Sequence, residues 1–381
     1  MNLKDGFSRF LTAQADRLHF AAHSHHPWPD VSWEAHNQAW LDAARLADDK
    51  WENVFGTIIP ETQSLIAATL GLADPVTLTF APNTQDFVAR IFSCLDPPVR
   101  VLSTDSEFHS FTRQSRRWEE AGLAIVDRVP AEPFDTFSER FTREARAGVH
   151  DLIYLSQVFF DSGFVVEDID RIVSSVSEEK AFIVIDGYHA FMALPTNIGA
   201  IQDRVFYVAG GYKYAMAGEG ACFMHSPGGY GLRPVDTGWY AGFGQLEAGV
   251  SELVPYSTDG SRFAGATYDP SGVYRMRAVL NWLSTHGVGP AEIHHHVARL
   301  QKRFLDSGVS PGDLVPSLPQ ARGNFLTFRT SRASELFQAL HDREVITDYR
   351  GDRLRVGFGV YHDDQDVDRL IQELSSITVD N

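Results

Sequence analysis

The sequence predicts an α/β fold in which a mostly parallel sheet carries helices on both faces, followed by a smaller α/β unit. Two observations predict it. From residue 76, short apolar runs rich in β-branched and aromatic residues alternate with amphipathic segments. After residue 324 a shorter set of strand and helix patterns repeats this alternation. The predicted strands of the large sheet are 76–80, 99–103, 124–127, 151–156, 182–186, 205–209 and 221–225.

The helix patterns divide the chain into three parts. Residues 1–60 read as an N-terminal arm and helix that belong to the small domain and to a dimer contact, residues 61–285 as the large domain, and residues 286–381 as the small domain. Helices are predicted at 84–95, 110–121, 167–177, 270–286, 290–307, 332–341 and 363–375, with small-domain strands at 325–329, 345–348 and 353–358. The N-terminal part carries Trp28, Trp33, Trp40 and Trp51, which we expect to pack against the main body or a partner subunit.

Composition excludes several classes of function. The formal net charge of −17 argues against binding to nucleic acid or to an anionic membrane surface. No apolar run approaches the length that spans a membrane. The two cysteines, Cys94 and Cys222, lie in apolar surroundings and are predicted to be reduced. We therefore expect a cytoplasmic protein.

The strongest chemical signal is Lys213 within Gly210-Gly211-Tyr212-Lys213-Tyr214, downstream of Asp186. Asp186 ends the apolar strand 182–186, so its carboxylate is expected at the carboxyl edge of the sheet, where α/β folds bind ligands. A lysine amine that forms a Schiff base and a carboxylate beside a pyridinium nitrogen are the two anchors of pyridoxal phosphate. A surface lysine and a strand-end cap are the alternative interpretations.

A histidine and a helix N-terminus are also consistent with the same cofactor. His189 lies three residues beyond Asp186, within hydrogen-bonding reach in a tight turn, although a buried structural histidine would look the same. Asn83 and Thr84 open the helix 84–95, and the N-terminus of a helix is suited to a phosphate group. Simple N-capping explains these two residues equally well.

An aromatic ring and an arginine complete the predicted site. Phe108 follows the strand 99–103 and could lie against the cofactor ring, although loop aromatics are more often part of a core. Arg355 lies on a small-domain strand, and its guanidinium fits the carboxylate of an α-amino acid. The alternative for Arg355 is a solvated edge-strand side chain.

The histidine clusters do not predict a metal site. The cluster 23–26 lacks further ligands at usable spacing. The three consecutive histidines at 294–296 would point to different faces of a helix and could not chelate one ion together. We predict no bound metal.

Six motifs follow one another along the chain: Asn83-Thr84, Phe108, Asp186-x-x-His189, Tyr212-Lys213, Gly238-Trp239 and Arg355. In this order they resemble class V of the fold-type-I pyridoxal-phosphate enzymes, and kynureninase most. The resemblance runs from about residue 18 to residue 375. It implies a homodimer whose active site is shared across the interface, pyridoxal 5′-phosphate as cofactor and a small-molecule amino acid as substrate.

The resemblance also assigns roles to single residues. It implies that Lys213 is the Schiff-base lysine and that Phe108 stacks on the cofactor ring. Asp186 would pair with the pyridinium nitrogen, with His189 beside it. The phosphate ligands would be Asn83, Thr84, Tyr212 and Trp239, with Thr267 reaching across the dimer interface. Ser24 and His25, which match the family's N-terminal Asn-Ser-Leu-Gly element, would contact the substrate. Arg355 would bind the substrate's α-carboxylate. Tyr212 is the implied acid or base.

The sequence departs from kynureninase on the substrate side. It has His23-Ser24-His25-His26 where the family has Asn-Ser-Leu-Gly, His109-Ser110-Phe111 after the stacking ring, and Val158-Phe159-Phe160 in place of a Val-Asn motif. Three functions therefore stay open: hydrolytic carbon–carbon cleavage of a kynurenine-type side chain, amino transfer to a 2-oxoacid, and cofactor binding without catalysis. A cysteine desulfurase fits poorly, because no cysteine follows Cys222.

Overall fold

A computed structural model describes residues 3–245 and 252–379 of the protein. The strands are β1 (Leu18–His19), β2 (Leu78–Ala81), β3 (Val99–Thr104), β4 (Ala124–Val129), β5 (Leu152–Ser156), β6 (Phe182–Asp186), β7 (Val205–Gly210), β8 (Cys222–His225), β9 (Asp313–Val315), β10 (Phe325–Arg329), β11 (Val345–Ile346), β12 (Asp348–Arg350) and β13 (Arg353–Gly357). The α-helices are α1 (Ser8–Ala13), α2 (Asp30–Leu46), α3 (Lys50–Asn53), α4 (Ile59–Leu70), α5 (Thr84–Phe92), α6 (His109–Glu120), α7 (Phe137–Ala145), α8 (Ile169–Ser175), α9 (Ser271–Thr285), α10 (Pro290–Asp306), α11 (Ala333–His341) and α12 (Asp364–Val379).

The larger sheet has seven strands in the order β2-β8-β7-β6-β5-β3-β4. All neighbouring pairs are parallel except those that β8 makes with β2 and β7. The segment 211–221 between β7 and β8 is too short for the helical crossover that a parallel connection needs, so β8 runs back beside β7. The predicted mostly parallel sheet is confirmed.

The central strands are apolar along their whole length because helices cover both faces of the sheet. Every residue of β5, β6 and β7 is buried. Leu152 and Tyr154 of β5 pack in the core that includes α5 and α6, whereas Ile153 and Leu155 face the core that includes α4, α8 and α9. Within the described ranges, no helix has the length and apolar character needed to cross a membrane.

The carboxyl ends of the central strands meet at one edge of the sheet. Ser156, the last residue of β5, is paired with Asp186, the last residue of β6. Asp186 is in turn paired with Val208 of β7, which ends at Gly210 just before the Lys213 loop. This edge therefore collects the side chains that the sequence analysis singled out.

The C-terminal part forms a four-stranded antiparallel sheet in the order β12-β13-β10-β9. It packs through Leu326 and Leu354 against a core shared with α10, α11 and α12. β1 pairs in parallel with β11, and Ala21 forms a bridge with Gly357 at the end of β13. The N-terminal segment is thereby held beside the strand that carries Arg355.

Several boundaries differ from the predicted ones. The predicted strand 345–348 is divided between β11 and β12, with Thr347 between them. α7 was not predicted, although its buried Phe137 and Phe141 have helical spacing. β9 was also not predicted, because three residues carry too short a pattern.

The tryptophans of the N-terminal part differ in burial. Trp28 and Trp51 are half-buried, but Trp33 and Trp40 on α2 are 53% and 69% exposed. The last two are therefore not buried against the described part of this chain. Their packing against a partner subunit, and the division into three parts, stay predictions.

Candidate active site

A cavity of about 590 Å³ lies at the carboxyl edge of the large sheet. Its wall combines residues of the sheet edge, the N-terminal segment and the small sheet. Among the predicted site residues, it is lined by Ser24, Asn83, Thr84, Phe108, Asp186, His189, Tyr212, Lys213 and Arg355. Residues far apart in sequence thus meet around one space, as the prediction requires.

Lys213 is a buried amine with two partners. Its Nζ donates a hydrogen bond to the backbone oxygen of His23 at 3.0 Å and lies 2.6 Å from Nε2 of His189. Burial, followed by the positive charge of Arg355, lowers the pKa of Lys213 to about 7 against the opposing effect of Asp186. A substantial fraction of this amine is therefore neutral and nucleophilic near neutral pH.

The two glycines before Lys213 provide space for the loop. A Cβ on Gly210 would lie 2.6 Å from Sγ of Cys222, and one on Gly211 would lie 2.8 Å from Cβ of Ala217. Neither glycine has a positive φ angle. Close packing, and not a left-handed backbone conformation, therefore requires glycine at both positions.

Asp186 lies at the base of the cavity and is fully hydrogen-bonded. Its Oδ2 accepts from the Tyr154 hydroxyl at 2.7 Å, and its Oδ1 accepts from the backbone N–H of Tyr188 at 2.9 Å. Burial raises the pKa of Asp186, and these hydrogen bonds and the Lys213 charge oppose that shift. A positively charged group next to Asp186 would further stabilise its carboxylate form.

His189 is neutral and holds the lysine. Burial, followed by the charges of Lys213 and Arg355, lowers the pKa of His189 well below its ordinary value. Its Nε2 can therefore accept a hydrogen bond from the Lys213 amine, which leaves the ring hydrogen on Nδ1. In the part of the chain that the structure describes, Nδ1 of His189 is buried without a hydrogen-bond partner.

The N-terminus of α5 opens onto the cavity. Asn83 caps this helix, since its Oδ1 accepts from the backbone N–H of Asp86 at 3.0 Å. Asn83, Thr84 and Gln85 all line the cavity. Backbone N–H groups at such a position attract an anion, so capping and phosphate binding are compatible here.

Phe108 lies on the opposite wall. Its side chain is 43% exposed, and its ring centroid is 5.7 Å from Nζ of Lys213. The ring of Phe160 packs edge-on against it at 5.5 Å. Phe108 therefore presents an aromatic face within reach of a ring attached to Lys213.

Arg355 lines the cavity but already has protein partners. Its Nη1 donates to the backbone oxygen of Phe160, and its Nη2 donates to Oδ2 of Asp348. The side chain is 3% exposed. Burial lowers the pKa of Arg355, and the Asp348 charge opposes that shift.

Three predicted site residues lie outside the cavity lining. Trp239 donates a hydrogen bond from Nε1 to Oγ1 of Thr267 at 3.1 Å, in an exposed position. His25 packs edge-on against Tyr212, with ring centroids 5.4 Å apart. The roles that the resemblance implies for Trp239 and Thr267 at the phosphate, with Thr267 reaching across a dimer interface, stay predictions.

Sequence reasoning missed a buried acid beneath the site. Glu107 accepts hydrogen bonds from the Oγ atoms of Ser156 at 2.5 Å and Thr104 at 2.8 Å. Burial raises its pKa to about 8, against the effect of the Ser156 and Thr104 hydrogen bonds. Ser156 ends β5 as Asp186 ends β6. The strand-end argument that selected Asp186 would therefore also have selected Ser156, the hydrogen-bond partner of Glu107.

The residues present fit pyridoxal phosphate. The cavity supplies a buried amine that can be deprotonated, the Asp186 carboxylate, a helix N-terminus and an aromatic face. The buried Nδ1 of His189 has no hydrogen-bond partner among the described residues, and an oxygen atom of a bound ligand would provide one. Among the described residues, no group of three His, Cys, Asp or Glu side chains is arranged to hold a metal ion.

Comparisons with known proteins find one family match and several structures of similar fold. Residues 297–374 match the Kynureninase C-terminal domain. No protein with a curated description matches the sequence. The chain superposes on the cystine C–S lyase C-DES in complex with cysteine persulfide, with a TM-score of 0.80, 16% identity and coverage of 96% of this chain and 99% of that one.

Two cysteine desulfurases are similar in the same way. The enzyme from Thermococcus onnurineus NA1 gives a TM-score of 0.81 at 14% identity over 99% of this chain and 98% of that one. CsdA from Escherichia coli gives 0.76 at 15% identity over 97% and 98%. The chain has the fold-type-I architecture of pyridoxal-phosphate enzymes. The structural similarities extend over almost the whole chain, and the family match covers residues 297–374.

The lowered pKa of Lys213 predicts a distinctive pH profile. In cofactor-free protein, trinitrobenzenesulfonate should label Lys213 increasingly up to a pH of about 7 and at a constant rate above it, because only the neutral amine reacts. Mass spectrometry of the Lys213 peptide measures the rate, with the exposed Lys180 as the reference for reagent decay. Labelling that keeps rising towards the ordinary lysine pKa of 10.5 would contradict the prediction.

Proposed function

We propose that this protein is a pyridoxal-phosphate-dependent enzyme that acts on an α-amino acid, with hydrolytic carbon–carbon cleavage of a kynurenine-type side chain as its reaction. The observation that carries the proposal is the buried Lys213 amine, with its pKa of about 7, in the same cavity as Asp186 and the α5 N-terminus. A lysine in a purely structural role would not be desolvated beside an arginine.

Each cofactor contact has a candidate residue. Lys213 would hold the cofactor covalently, Asp186 would keep the pyridine nitrogen protonated, and Thr84 at the start of α5 would bind the phosphate. When bound, the cofactor supplies an electron sink that stabilises negative charge at the substrate's α-carbon.

The protein's own residues then handle protons and position the substrate. The Lys213 amine can accept the proton from the α-carbon, because its pKa of about 7 lets it exchange protons near neutral pH. His189 orients that amine through its Nε2. Tyr212 lines the cavity, and burial raises its pKa, so its hydroxyl stays protonated and is available as a proton donor.

The hydrolytic reaction is supported by the shape and chemistry of the wall. Phe108, Phe160 and Tyr212 line the cavity and offer apolar contact to an aryl side chain. Hydrolysis consumes one water, breaks the Cβ–Cγ bond, and leaves a carboxylic acid on the aryl fragment and a proton on Cβ. The match of residues 297–374 to the Kynureninase C-terminal domain covers Asp348, Arg350 and Arg355.

Amino transfer is the second candidate, because it needs only Lys213 and a carboxylate-binding arginine. Desulfuration, the activity named for two of the similar structures, is a poor fit. Burial raises the pKa of both Cys94 and Cys222 to about 12, so neither thiol is a ready nucleophile. The sequence holds no other cysteine.

Covalent attachment of the cofactor can be tested directly. Incubation with pyridoxal phosphate followed by borohydride should add one phosphopyridoxyl group to Lys213, because reduction makes the bond permanent. Peptide mass spectrometry locates the group. The Lys213→Met variant should lose it and the Lys180→Met variant should keep it; labelling spread over surface lysines would refute the cofactor assignment.

The reaction can be tested with kynurenine and 3-hydroxykynurenine. We expect the protein with cofactor to release anthranilate or 3-hydroxyanthranilate, with at least about a 1000-fold loss in Lys213→Met, which lacks the proton carrier at the α-carbon. Chromatography with mass detection measures the products. Accumulation of pyridoxamine phosphate with an amino acid, and no anthranilate, would replace hydrolysis by amino transfer.

A further inference from the structure

We propose that Asp348 is an internal counter-ion of Arg355. A substrate carboxylate that binds Arg355 displaces the Asp348 carboxylate towards His23. This inference rests on the proposed function, since it concerns how an amino-acid carboxylate gains access to Arg355. It makes His23 and Asp348 specificity-determining residues.

Arg355 is partly occupied by the protein's own carboxylate. The Cα atoms of Asp348 and Arg355 are direct partners across β12 and β13, and Nη2 of Arg355 donates to Oδ2 of Asp348. The other carboxylate oxygen, Oδ1, accepts from Nη1 of Arg350 at 2.7 Å. Among the described residues, Nε of Arg355 has no hydrogen-bond partner. The guanidinium therefore keeps an unused donor while it holds Asp348.

His23 is an unused partner for the same carboxylate. Its ring is fully buried, and neither ring nitrogen has a hydrogen-bond partner within the described part of the chain. Its Nε2 lies 3.8 Å from Oδ2 of Asp348, about one ångström beyond hydrogen-bonding distance. Because buried polar groups are almost always paired, this arrangement calls for an explanation.

The ring of His23 cannot move to find another partner. It stacks on Phe325 with centroids 4.5 Å apart and an interplanar angle of 21°. Gly357 packs so closely on the other side that a Cβ there would lie 2.1 Å from Nδ1. Asp348 begins β12, an edge strand with one neighbour. The carboxylate is thus expected to move to the imidazole.

This geometry selects for carboxylate ligands. Burial, followed by the charge of Arg355, holds the pKa of His23 well below its ordinary value, so its ring is neutral and can donate from Nε2. A ligand carboxylate that takes Nη2 and Nε of Arg355 replaces the charge that Asp348 provides, while Asp348 keeps Arg350 and gains His23. A neutral ligand offers no replacement charge, so it leaves the Asp348–Arg355 pair closed.

The test measures binding of 3-phenylpropionate and its neutral analogue 3-phenylpropionamide to the protein with cofactor, by NMR titration. Asp348→Asn removes the competing charge, so we expect about tenfold tighter binding of the carboxylate and unchanged binding of the amide. Asp352→Asn, an exposed change in the same hairpin, is the matched control and should alter neither. Unchanged or weaker carboxylate binding in Asp348→Asn would overturn the proposal.

Variants of His23 give an independent test should Asp348→Asn fail to fold. His23→Phe keeps a ring against Phe325 but removes the donor, so carboxylate binding should weaken about fivefold. His23→Gln carries an amide donor and should restore much of it. Equal carboxylate binding in His23→Phe and the wild type would contradict the displacement. Borohydride labelling of Lys213 in the same samples separates failure of this inference from failure of the cofactor assignment.

Discussion

The site depends on the burial of one amine. Lys213 lies out of water between a backbone oxygen and a neutral imidazole, beside the guanidinium of Arg355. Desolvation and like charge both disfavour its ammonium form. The large sheet supplies the loop that holds Lys213, the N-terminal segment supplies the backbone oxygen of His23, and the small sheet supplies Arg355. Three parts of the chain must therefore be in place before the lysine has its lowered pKa.

The carboxyl edge of the sheet distributes charge around that amine. Asp186 lies on the same edge with its two oxygens hydrogen-bonded, and burial raises its pKa against the effect of those hydrogen bonds and of the Lys213 charge. Burial raises the pKa of Glu107, which follows β3 and bonds to Ser156 of β5, to about 8, so this acid is mostly protonated at neutral pH. A cationic ring beside Asp186 would be stabilised by a carboxylate, while the neutral Glu107 would add little competing charge.

Local signals in the sequence predicted the seven strands of the large sheet and most of the helices between and after them, but not α7 or β9. Asp186 could be placed because an apolar strand ends there, and Thr84 because a helix begins there, both of which depend on neighbouring residues. The pairing of Asp348 with Arg355 and the hydrogen bond between His23 and Lys213 could not be predicted. They depend on how β12 pairs with β13 and on how β1 brings residues 20–26 to the small sheet. The division of 345–348 into two strands went unnoticed for the same reason.

The most direct test is a crystal structure of the protein grown with pyridoxal phosphate. We predict continuous density between Lys213 and the cofactor, with the pyridine nitrogen beside Asp186 and the phosphate at the first turn of α5. Density for the cofactor elsewhere, or an unmodified Lys213 still hydrogen-bonded to His23 and His189 at saturating cofactor, would contradict it.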